Sequence, residues 1–431
     1  MEIAELYKIF KANPVVTTDS RDCPKGSLFF ALKGDSFDGN KFAAAALAKG
    51  CSWAVVDEAE YAGDPRCILV DDCLATLKQL ARHHRRQFDM PVIGITGTNG
   101  KTTTKELVSA VLARKYNVMH TEGNFNNDIG VPKTMLRLNA SHEIAVVEMG
   151  ASHPGDIKTL VETVEPGYGL ITNVGRAHLQ GFGSFEGVVR TKGELYDFLR
   201  GRKGSVVFVN GENEHLMGMA HGFDLVKYGV GDDAARDISG EVVSCAPFLK
   251  FRWRRGGGQW REVQTQLIGS YNIYNMLAAA AIGTYFGVTD DDVCAALAEY
   301  KPGNSRSQLE VTAHNKLIVD AYNANPTSMA AALDNFRDMA VRHKMAILGD
   351  MRELGAVSHE EHQRVADRLK AMALDEVWLV GDEFAATDCD FRKFKSVDDV
   401  KKAIEASRPE GRYILIKGSN GIKLGQLPPL L

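Results

Sequence analysis

Apolar and polar positions alternate along this chain in a pattern typical of short buried strands separated by amphipathic helices. Between residues 92 and 210, four apolar runs (VIGIT, EIAVVEM, YGLITNV and SVVFVN) alternate with helical patterns. Strands that are joined through helices form parallel sheets covered on both faces. The pattern therefore predicts a parallel α/β domain, and the ligands of such domains lie at the carboxyl ends of the strands.

The same alternation occurs on either side of this segment. Residues 17–57 predict a short strand, a loop rich in Gly and Asp, an alanine-rich helix and a second strand. Residues 316–418 predict four strands separated by helices over residues 328–342, 358–372 and 397–406. This last segment therefore predicts a doubly wound domain.

These patterns place the chain in the α/β class with three domains. A chain of 431 residues is longer than one ordinary core requires. Residues 226–268 are strand-like and punctuated by glycine, so we expect them to extend the central sheet with antiparallel strands. The predicted domains are a small N-terminal α/β domain over residues 1–84, a central parallel-sheet domain over residues 85–303 and a C-terminal Rossmann-like domain over residues 304–431.

Composition and charge favour small molecules as partners. The chain is 45% hydrophobic and 25% charged, and its formal net charge of -4 gives no reason to expect nucleic acid or a membrane as the main partner. No run of about 18 apolar residues indicates a membrane span. The seven cysteines form no CxxC pairs, which fits a reducing cytoplasm better than a disulfide framework or a zinc site. We expect a cytoplasmic protein that acts as a monomer.

Two segments rich in histidine are interpreted as solvent-exposed helix surface. The segment ARHHRRQ, residues 81–87, lacks the interleaved aromatic residues of a nucleic-acid patch. The segment SHEEH, residues 358–362, lacks the HExxH spacing of a zinc protease. Neither segment is therefore predicted to be a functional site.

The segment VIGITGTNGKTTTKEL, residues 92–107, predicts a phosphate-binding loop. A buried strand that ends in a glycine turn and enters a helix leaves several backbone N–H groups available to an anion. Lys101 can reach the β- and γ-phosphates, and the Thr102 hydroxyl can bind Mg²⁺. Ile95 stands where the usual P-loop has glycine, and no NKxD segment indicates guanine, so ATP is favoured over GTP. The predicted nucleotide-binding residues of the turn are Gly97, Thr98, Asn99, Gly100, Lys101, Thr102 and Thr103.

Two further side chains at strand ends are candidate metal ligands. Glu148 closes the run EIAVVEM and could supply the acidic group that a nucleotide-bound Mg²⁺ needs. His178 follows YGLITNV in the segment ITNVGRAHL. A solvated carboxylate and a structural histidine remain the alternative interpretations.

Several motifs together resemble the ATP-dependent Mur ligase family of peptidoglycan synthesis. They are GTNGKTTT, NFNNDIGVP, EMGASHPGDI, TNVGRAHL and TKGELY, and the resemblance covers residues 17–418. The segments DAYNANPTSMAAAL and LGDMRELG are similar to the family members that add D-alanyl-D-alanine to UDP-N-acetylmuramoyl-tripeptide. Relatives that add diaminopimelate or lysine would be expected to carry a DNPR-like segment in the last domain, and the chain lacks one.

The resemblance implies roles for individual residues. For nucleotide and metal they are the phosphate- and Mg²⁺-binding pair Lys101 and Thr102, the metal ligands Glu148 and His178, the carbamylated metal ligand Lys192, the adenine-contacting Asn275, the γ-phosphate-binding Arg306 and the ribose-binding Asp320. For substrates they are Ser20, Arg21, Asp38 and Gly39 at the uridine nucleotide, Asn126 and Asn127 in the central domain, and Tyr322, Asn323 and Asn325 near the dipeptide. The chain departs from the family pattern at Tyr271, Val319 and Asn420.

The implied activity is formation of an amide through an acyl phosphate, with ATP and two Mg²⁺ ions. Lys101, Lys192, His178 and Arg306 would carry the catalysis. Because these residues come from the central domain and from beyond its end, we expect ATP binding to close the third domain onto the second. Two alternatives remain: a ligase resembling folylpolyglutamate synthase, and a non-catalytic nucleotide-dependent switch.

Overall fold

The N-terminal segment forms a parallel sheet of four strands in the order β1-β2-β5-β6, with a separate β3-β4 hairpin beside it. The computed structural model describes residues 1–34, 36–245, 247–303 and 308–431. The predicted strand, loop, helix and strand are confirmed. The elements are α1 Ile3–Ala12, β1 Val16–Thr17, β2 Leu28–Phe30, β3 Lys33–Gly34, β4 Phe37–Asp38, α2 Ala43–Lys49, β5 Trp53–Val56, β6 Cys67–Leu69 and α3 Cys73–Arg85.

The central segment forms a nine-stranded sheet in the order β15-β14-β13-β12-β11-β10-β7-β9-β8. Its strands are β7 Val92–Thr96, β8 Val118–His120, β9 Ile144–Glu148, β10 Tyr168–Ile171, β11 Val206–Asn210, β12 Asp224–Val230, β13 Ile238–Cys245, β14 Phe248–Arg255 and β15 Arg261–Ile268. Its helices are α4 Lys101–Leu112, α5 Gly130–Met135, α6 Asp156–Val164, α7 Leu179–Phe182, α8 Phe185–Arg200, α9 Glu214–Met219, α10 Ile273–Tyr285 and α11 Asp290–Glu299.

Pairing in this sheet confirms the predicted parallel core and corrects one expectation. Strand β7 lies between β9 and β10 and is parallel to both, so the loop after β7 stands at the carboxyl edge where its neighbours also end. The antiparallel extension predicted over residues 226–268 is correct for the pairs β13-β14 and β14-β15. It is wrong for β12 and β13, which pair in parallel.

The C-terminal segment forms a six-stranded sheet in the order β16-β17-β21-β18-β19-β20, parallel except for β16. The predicted doubly wound alternation is confirmed, although the helix expected over residues 328–342 ends at Asp338. The elements are β16 Gln308–Val311, β17 Lys316–Asp320, α12 Pro326–Asp338, β18 Lys344–Gly349, α13 Ser358–Lys370, β19 Glu376–Val380, α14 Asp382–Ala385, β20 Arg392–Phe394, α15 Val397–Ala406 and β21 Tyr413–Lys417.

Helix α3 joins the first two sheets, and the expectation that its basic end is exposed is wrong for two residues. Helix α3 packs on α1 on one side and on α5 and α6 on the other. His84 and Arg85 are 7% and 8% exposed. The His84 Nε2 atom lies 2.8 Å from the Leu138 carbonyl, and the Arg85 guanidinium donates to the Val164 carbonyl over 3.1 Å. Tertiary packing therefore buries residues that local polarity would place in water.

The second histidine segment is also partly buried. His359 is exposed as predicted, whereas His362 is fully buried, and its Nε2 atom accepts a hydrogen bond from the Met351 N–H over 2.9 Å. The Phe384 ring packs edge-on against the imidazole at a centroid distance of 4.7 Å. His362 therefore fixes the chain after β18 against α13, which is a structural role.

The three sheets fall within the three segments predicted from the sequence. The domain limits at residues 84/85 and 303/304 stay predictions. Within the described ranges, no helix has both the length and the apolar character that crossing a bilayer requires.

Candidate active site

The loop between β7 and α4 has the geometry of a phosphate cradle. Gly97 and Gly100 have φ angles of 139° and 78°, which residues other than glycine rarely adopt. A Cβ atom at Gly97 would overlap the Oγ1 atom of Thr172, and one at Gly100 would lie 2.7 Å from the Asn275 Oδ1 atom. Glycine at these positions therefore allows the loop to pack closely, and the loop enters the N-terminus of α4, where backbone N–H groups attract anions.

Replacing Gly97 with alanine should damage this loop. Positive φ and the overlap with Thr172 together should lower the free energy of unfolding by about 2–4 kcal/mol. Because the loop must shift, the affinity for an ATP analogue should fall about tenfold or more. Gly204→Ala is the control, since Gly204 has a φ of 78° and no atom within 4 Å of a built Cβ. Calorimetric titration and thermal unfolding of both variants test this, and equal loss of affinity in both would contradict it.

Lys101 is the first residue of α4, and its side chain folds over the loop. The Nζ atom donates to the Gly97 carbonyl over 2.8 Å and to the Thr98 carbonyl over 2.9 Å. The ammonium charge therefore stands beside the positive end of the helix dipole, and both attract phosphate.

Glu148, at the end of β9, is buried against the first turn of α4. Its Oε1 atom accepts hydrogen bonds from the Thr102 Oγ1 atom over 3.0 Å and from the Asn126 Nδ2 atom over 2.7 Å. Glu148 is 0% exposed, and its Oε2 atom has no hydrogen-bond partner among the described residues. A buried carboxylate oxygen without a donor, next to a threonine hydroxyl, fits the oxygen-ligand preference of Mg²⁺.

His178 stands between the central and C-terminal segments. Its φ is 50°, and its Nδ1 atom hydrogen-bonds to the carboxylate of Glu353, which follows β18. Burial lowers the pKa of His178 below its usual value, and the Glu353 charge opposes that shift. Because Nδ1 is engaged by Glu353, Nε2 is the ring nitrogen left to bind a metal.

Lys192 is buried within α8. Its side chain is 2% exposed, and the Nζ atom lies 3.4 Å from the Ala151 carbonyl and 5.2 Å from the centre of the Phe182 ring. Burial, followed by the charge of Lys101, holds the pKa of Lys192 well below its usual value. A lowered pKa increases the fraction of neutral amine, which is the form that reacts with CO₂.

Residues of the C-terminal segment also lie close to the phosphate loop. The Lys417 Nζ atom donates to the Asp320 Oδ2 atom over 2.6 Å and to the Asn323 carbonyl over 3.2 Å. The Asn325 side chain caps α12 and hydrogen-bonds to Asn99 of the loop. The ends of β17 and β21 are thereby fixed close to the phosphate cradle.

Asn275 lies under the loop with its amide engaged by the protein. Its Oδ1 atom accepts a hydrogen bond from the Thr104 hydroxyl over 3.0 Å, and its Nδ2 atom donates to the Asn272 Oδ1 atom over 2.8 Å. Asn275 is 9% exposed and borders the cavity described next. The bond from Thr104 therefore holds α10 against the first turn of α4.

One cavity of about 1000 Å³ brings most of the predicted residues together. Lys78 of α3 also borders it, so the cavity is bordered by residues of all three segments. Gly97, Thr102 and Lys192 are not among the lining residues, and Arg306 lies outside the described residues. The predicted residues that line it are Thr98, Asn99, Gly100, Lys101, Thr103, Asn126, Asn127, Glu148, His178, Asn275, Asp320, Tyr322, Asn323 and Asn325.

The predicted uridine-binding residues do not line this cavity. Arg21 is exposed at the surface and forms a two-point ion pair with Asp19. The Ser20 carbonyl accepts a hydrogen bond from Lys49 over 2.7 Å. Asp38 caps the turn that begins at Gly39. Their assignment to a uridine nucleotide stays a prediction.

Several cavity residues were not predicted from the sequence. They include Ser152, His153, Glu212, Tyr274 and Lys417. Lys417 ends the apolar run YILIK, and a charged residue at the carboxyl end of a parallel strand was a usable signal. No three His, Cys, Asp or Glu side chains within the described ranges form a metal-binding group by themselves. A Mg²⁺ ion here would therefore need hydroxyl, phosphate or water oxygens as well.

Comparison with family models matches each of the three segments. The Mur ligase family catalytic domain matches residues 15–85, the Mur ligase middle domain matches residues 95–283, and the Mur ligase glutamate ligase domain matches residues 306–420.

Individual relatives cover nearly the whole chain. A UDP-N-acetylmuramoyl-tripeptide--D-alanyl-D-alanine ligase of Bacillus subtilis (strain 168) is 34% identical, over 99% of this chain and 96% of its own length. A ligase of the same name from Escherichia coli (strain K12) is 36% identical, over 85% of this chain and 81% of its own length.

Solved structures agree with these relatives. A crystal structure of MurF from Acinetobacter baumannii has a TM-score of 0.87 at 29% identity and covers 97% of this chain and 96% of that one. The MurF ligase of Thermotoga maritima in complex with ADP has a TM-score of 0.86 at 26% identity and covers 97% of each chain. On the identity and coverage of these relatives, the chain belongs to the Mur ligase family.

Proposed function

We propose that the chain is an ATP-dependent ligase that joins D-alanyl-D-alanine to UDP-N-acetylmuramoyl-tripeptide. The products are UDP-N-acetylmuramoyl-pentapeptide, ADP and phosphate, and the reaction belongs to peptidoglycan precursor synthesis. The names of the relatives support the substrates. The seven cysteines are all free thiols, which supports action in the cytoplasm.

The main support for this proposal is that the phosphate loop and the segment after β17 border the same cavity. Lys101 and Glu148 border it from the central segment, and Tyr322 and Asn323 border it from the C-terminal segment. To join an acid that ATP has phosphorylated to an amine, an enzyme must hold both reactants in one site. A nucleotide-dependent switch would not need residues of the C-terminal segment to border the cavity.

A carboxylate must be activated before an amine can displace its oxygen. In the first step a carboxylate oxygen of the tripeptide attacks the γ-phosphorus of ATP, and the bond from γ-phosphorus to the bridging oxygen breaks, giving an acyl phosphate and ADP. Lys101 would neutralise phosphate charge as the two anions approach. Arg306, which the resemblance assigns to the γ-phosphate, belongs to this proposal as well.

Thr102 and Glu148 would hold a Mg²⁺ ion beside the phosphates, and His178 and a carbamylated Lys192 would hold a second one. Bound Mg²⁺ neutralises phosphate oxygens and aligns them for transfer. The orphaned Oε2 atom of buried Glu148 and the depressed pKa of Lys192 support these two assignments.

In the second step the amine of D-alanyl-D-alanine attacks the acyl carbon. The bond from that carbon to the phosphate oxygen breaks, phosphate leaves and the nitrogen loses a proton. Tyr322, Asn323 and Asn325 lie in the segment that would position the dipeptide, and Asn126 and Asn127, which also border the cavity, would contact the tripeptide. Exclusion of water by the cavity walls would protect the acyl phosphate from hydrolysis.

Phosphate release tests the proposal. With ATP, Mg²⁺ and UDP-N-acetylmuramoyl-tripeptide, phosphate should appear at a steady rate only when D-alanyl-D-alanine is added, and a pentapeptide product should form in equal amount. Single amino acids in place of the dipeptide are the control. Turnover with a folate and glutamate instead would indicate a folylpolyglutamate synthase-like ligase, and ATP binding without acceptor-dependent turnover would indicate a switch.

A further inference from the structure

The N-terminus of α12 lies directly on the phosphate loop. The Asn325 Nδ2 atom donates to the Asn99 Oδ1 atom over 2.8 Å, and the Asn99 Nδ2 atom lies 3.4 Å from the Asn325 Oδ1 atom. Asn325 is 7% exposed and Asn99 is half-buried, so the pair is partly shielded from water. This contact joins the loop expected to bind phosphate to a helix of the C-terminal sheet.

The cap of α12 determines which way the Asn325 amide points. Its Oδ1 atom accepts a hydrogen bond from the Ser328 N–H over 2.9 Å, and the Ser328 Oγ atom accepts one from the Asn325 N–H over 3.1 Å, which completes a capping box. With the oxygen held by the helix, the Nδ2 group must face Asn99. Asn99 must then present its own oxygen, so the pair has one preferred arrangement.

Asn99 is fixed from the other side by the carboxyl end of β10. Its N–H donates to the Asn173 Oδ1 atom over 3.0 Å. Its carbonyl accepts hydrogen bonds from the Thr172 hydroxyl over 2.6 Å and from the Asn173 Nδ2 atom over 3.0 Å. Residues at the end of β10 therefore bind the backbone of Asn99, and the Asn99 side chain makes the contact with Asn325.

A second contact lies beside the first. The Arg176 N–H donates to the Thr327 Oγ1 atom over 3.2 Å, and a Cβ atom at Gly175 would lie 3.0 Å from that oxygen. The start of α12 thus rests on the loops that follow β7 and β10, which are neighbouring strands of the central sheet. Opening the domains would separate both contacts.

We propose that Asn99 and Asn325 act as positioning residues that couple nucleotide binding at the phosphate loop to acceptor binding by the C-terminal segment. Asn325 lies two residues after Asn323 and three after Tyr322, both of which border the cavity. A ligand that holds the phosphate loop in place stabilises the docked α12, and docked α12 holds the acceptor segment. This inference rests on the proposed function and gives Asn325 a role other than direct contact with the dipeptide.

Titration of D-alanyl-D-alanine into the full chain, with and without a non-hydrolysable ATP analogue and Mg²⁺, measures the coupling. In the wild type the analogue should tighten dipeptide binding. Asn99→Ala and Asn325→Ser should each reduce that enhancement about fivefold, because one amide contact is lost. Serine still caps the helix but cannot reach Asn99. The double variant should be no worse than either single variant, since both remove one interaction.

Ser328→Ala is the matched control, because it weakens the cap and leaves the two asparagine side chains in place. It should lower the melting temperature and keep the wild-type enhancement. If Asn325 touched the dipeptide directly, Asn325→Ser would weaken dipeptide binding equally with and without the analogue, and Asn99→Ala would not. Additive losses in the double variant would also overturn the proposal.

Hydrogen exchange decides the same question without the acceptor. The analogue alone should slow exchange of the amides of residues 327–330 in the wild type, and this protection should be lost in Asn99→Ala. If the wild type binds the analogue but not D-alanyl-D-alanine, the proposed substrate is wrong while the exchange data still decide the coupling. Equal protection in the wild type and in Asn99→Ala would refute the proposed coupling.

Discussion

Replacing Lys101 with alanine should lower kcat for acceptor-dependent phosphate release by about 10²-fold or more. The Nζ atom lies over the turn, 2.8 Å from the Gly97 carbonyl, where a triphosphate would meet the N-terminus of α4. Transfer of a phosphoryl group to a carboxylate brings two anions together, so a fixed positive charge lowers the barrier more than it strengthens ground-state binding. The loss should therefore fall mainly on kcat rather than on KM.

Two variants make the Lys101 result specific. Lys101→Arg keeps the charge on a larger group and should retain more activity than alanine. Lys203→Ala removes an exposed lysine of the same domain and should behave as the wild type. Circular dichroism checks that each variant is folded. Near-normal turnover of folded Lys101→Ala enzyme would refute the role of the phosphate loop.

Local signals in the sequence were sufficient to predict the glycine turn between β7 and α4. A buried strand, glycines at residues 97 and 100 and a lysine at the first helical position occur within a single stretch. Positive φ at both glycines follows from that order, because the chain must turn sharply from the sheet into α4. Glu148 was predictable for the same reason, since it ends the neighbouring strand and parallel strands end at one edge.

Contacts between distant segments could not be predicted. Glu353 hydrogen-bonds to His178, and Lys417 pairs with Asp320, but no spacing along the chain connects these residues. The burial of His84 has the same origin, because it depends on helices that pack on α3 from a later segment. Pairings of this kind arise from tertiary packing, which local propensity does not encode.

Short edge strands were missed for a different reason. Strands β8 and β20 have three residues each, and β16 has four. In runs of three or four residues, the alternation of apolar and polar positions that indicates a strand cannot be distinguished from chance. Their pairing with long neighbouring strands, rather than their own sequence, makes them strands.

Replacing Lys192 with alanine should lower turnover by about 10²-fold, and small carboxylates should restore part of it. Lys192 is 2% exposed, and burial together with the charge of Lys101 depresses its pKa. A neutral amine can attack CO₂: an N–C bond forms, a proton leaves and a carbamate anion remains, which could bind a metal. Acetate or formate should enter the space that alanine leaves and supply the missing carboxylate.

Lys192→Met separates the loss of the carbamate from the creation of space. Methionine fills most of the volume and has no nucleophile, so this variant should be as inactive as alanine and should not respond to acetate. Bicarbonate should reactivate wild-type enzyme stripped of CO₂ and should have no effect on either variant. Wild-type turnover of Lys192→Ala, or equal rescue of both variants, would contradict carbamylation.

The same depressed pKa predicts how stability depends on pH. In the unfolded chain Lys192 binds a proton up to its ordinary pKa of about 10.4, whereas the folded protein has released it at a lower pH. The unfolded state therefore binds more protons in this window, and the Lys192 contribution to the free energy of unfolding rises with pH. Lys192→Met lacks this contribution, so without CO₂ it should be more stable than the wild type at neutral pH. Denaturant unfolding at a series of pH values should show that this advantage shrinks toward pH 10, and a constant difference would mean that the lysine stays protonated and cannot capture CO₂.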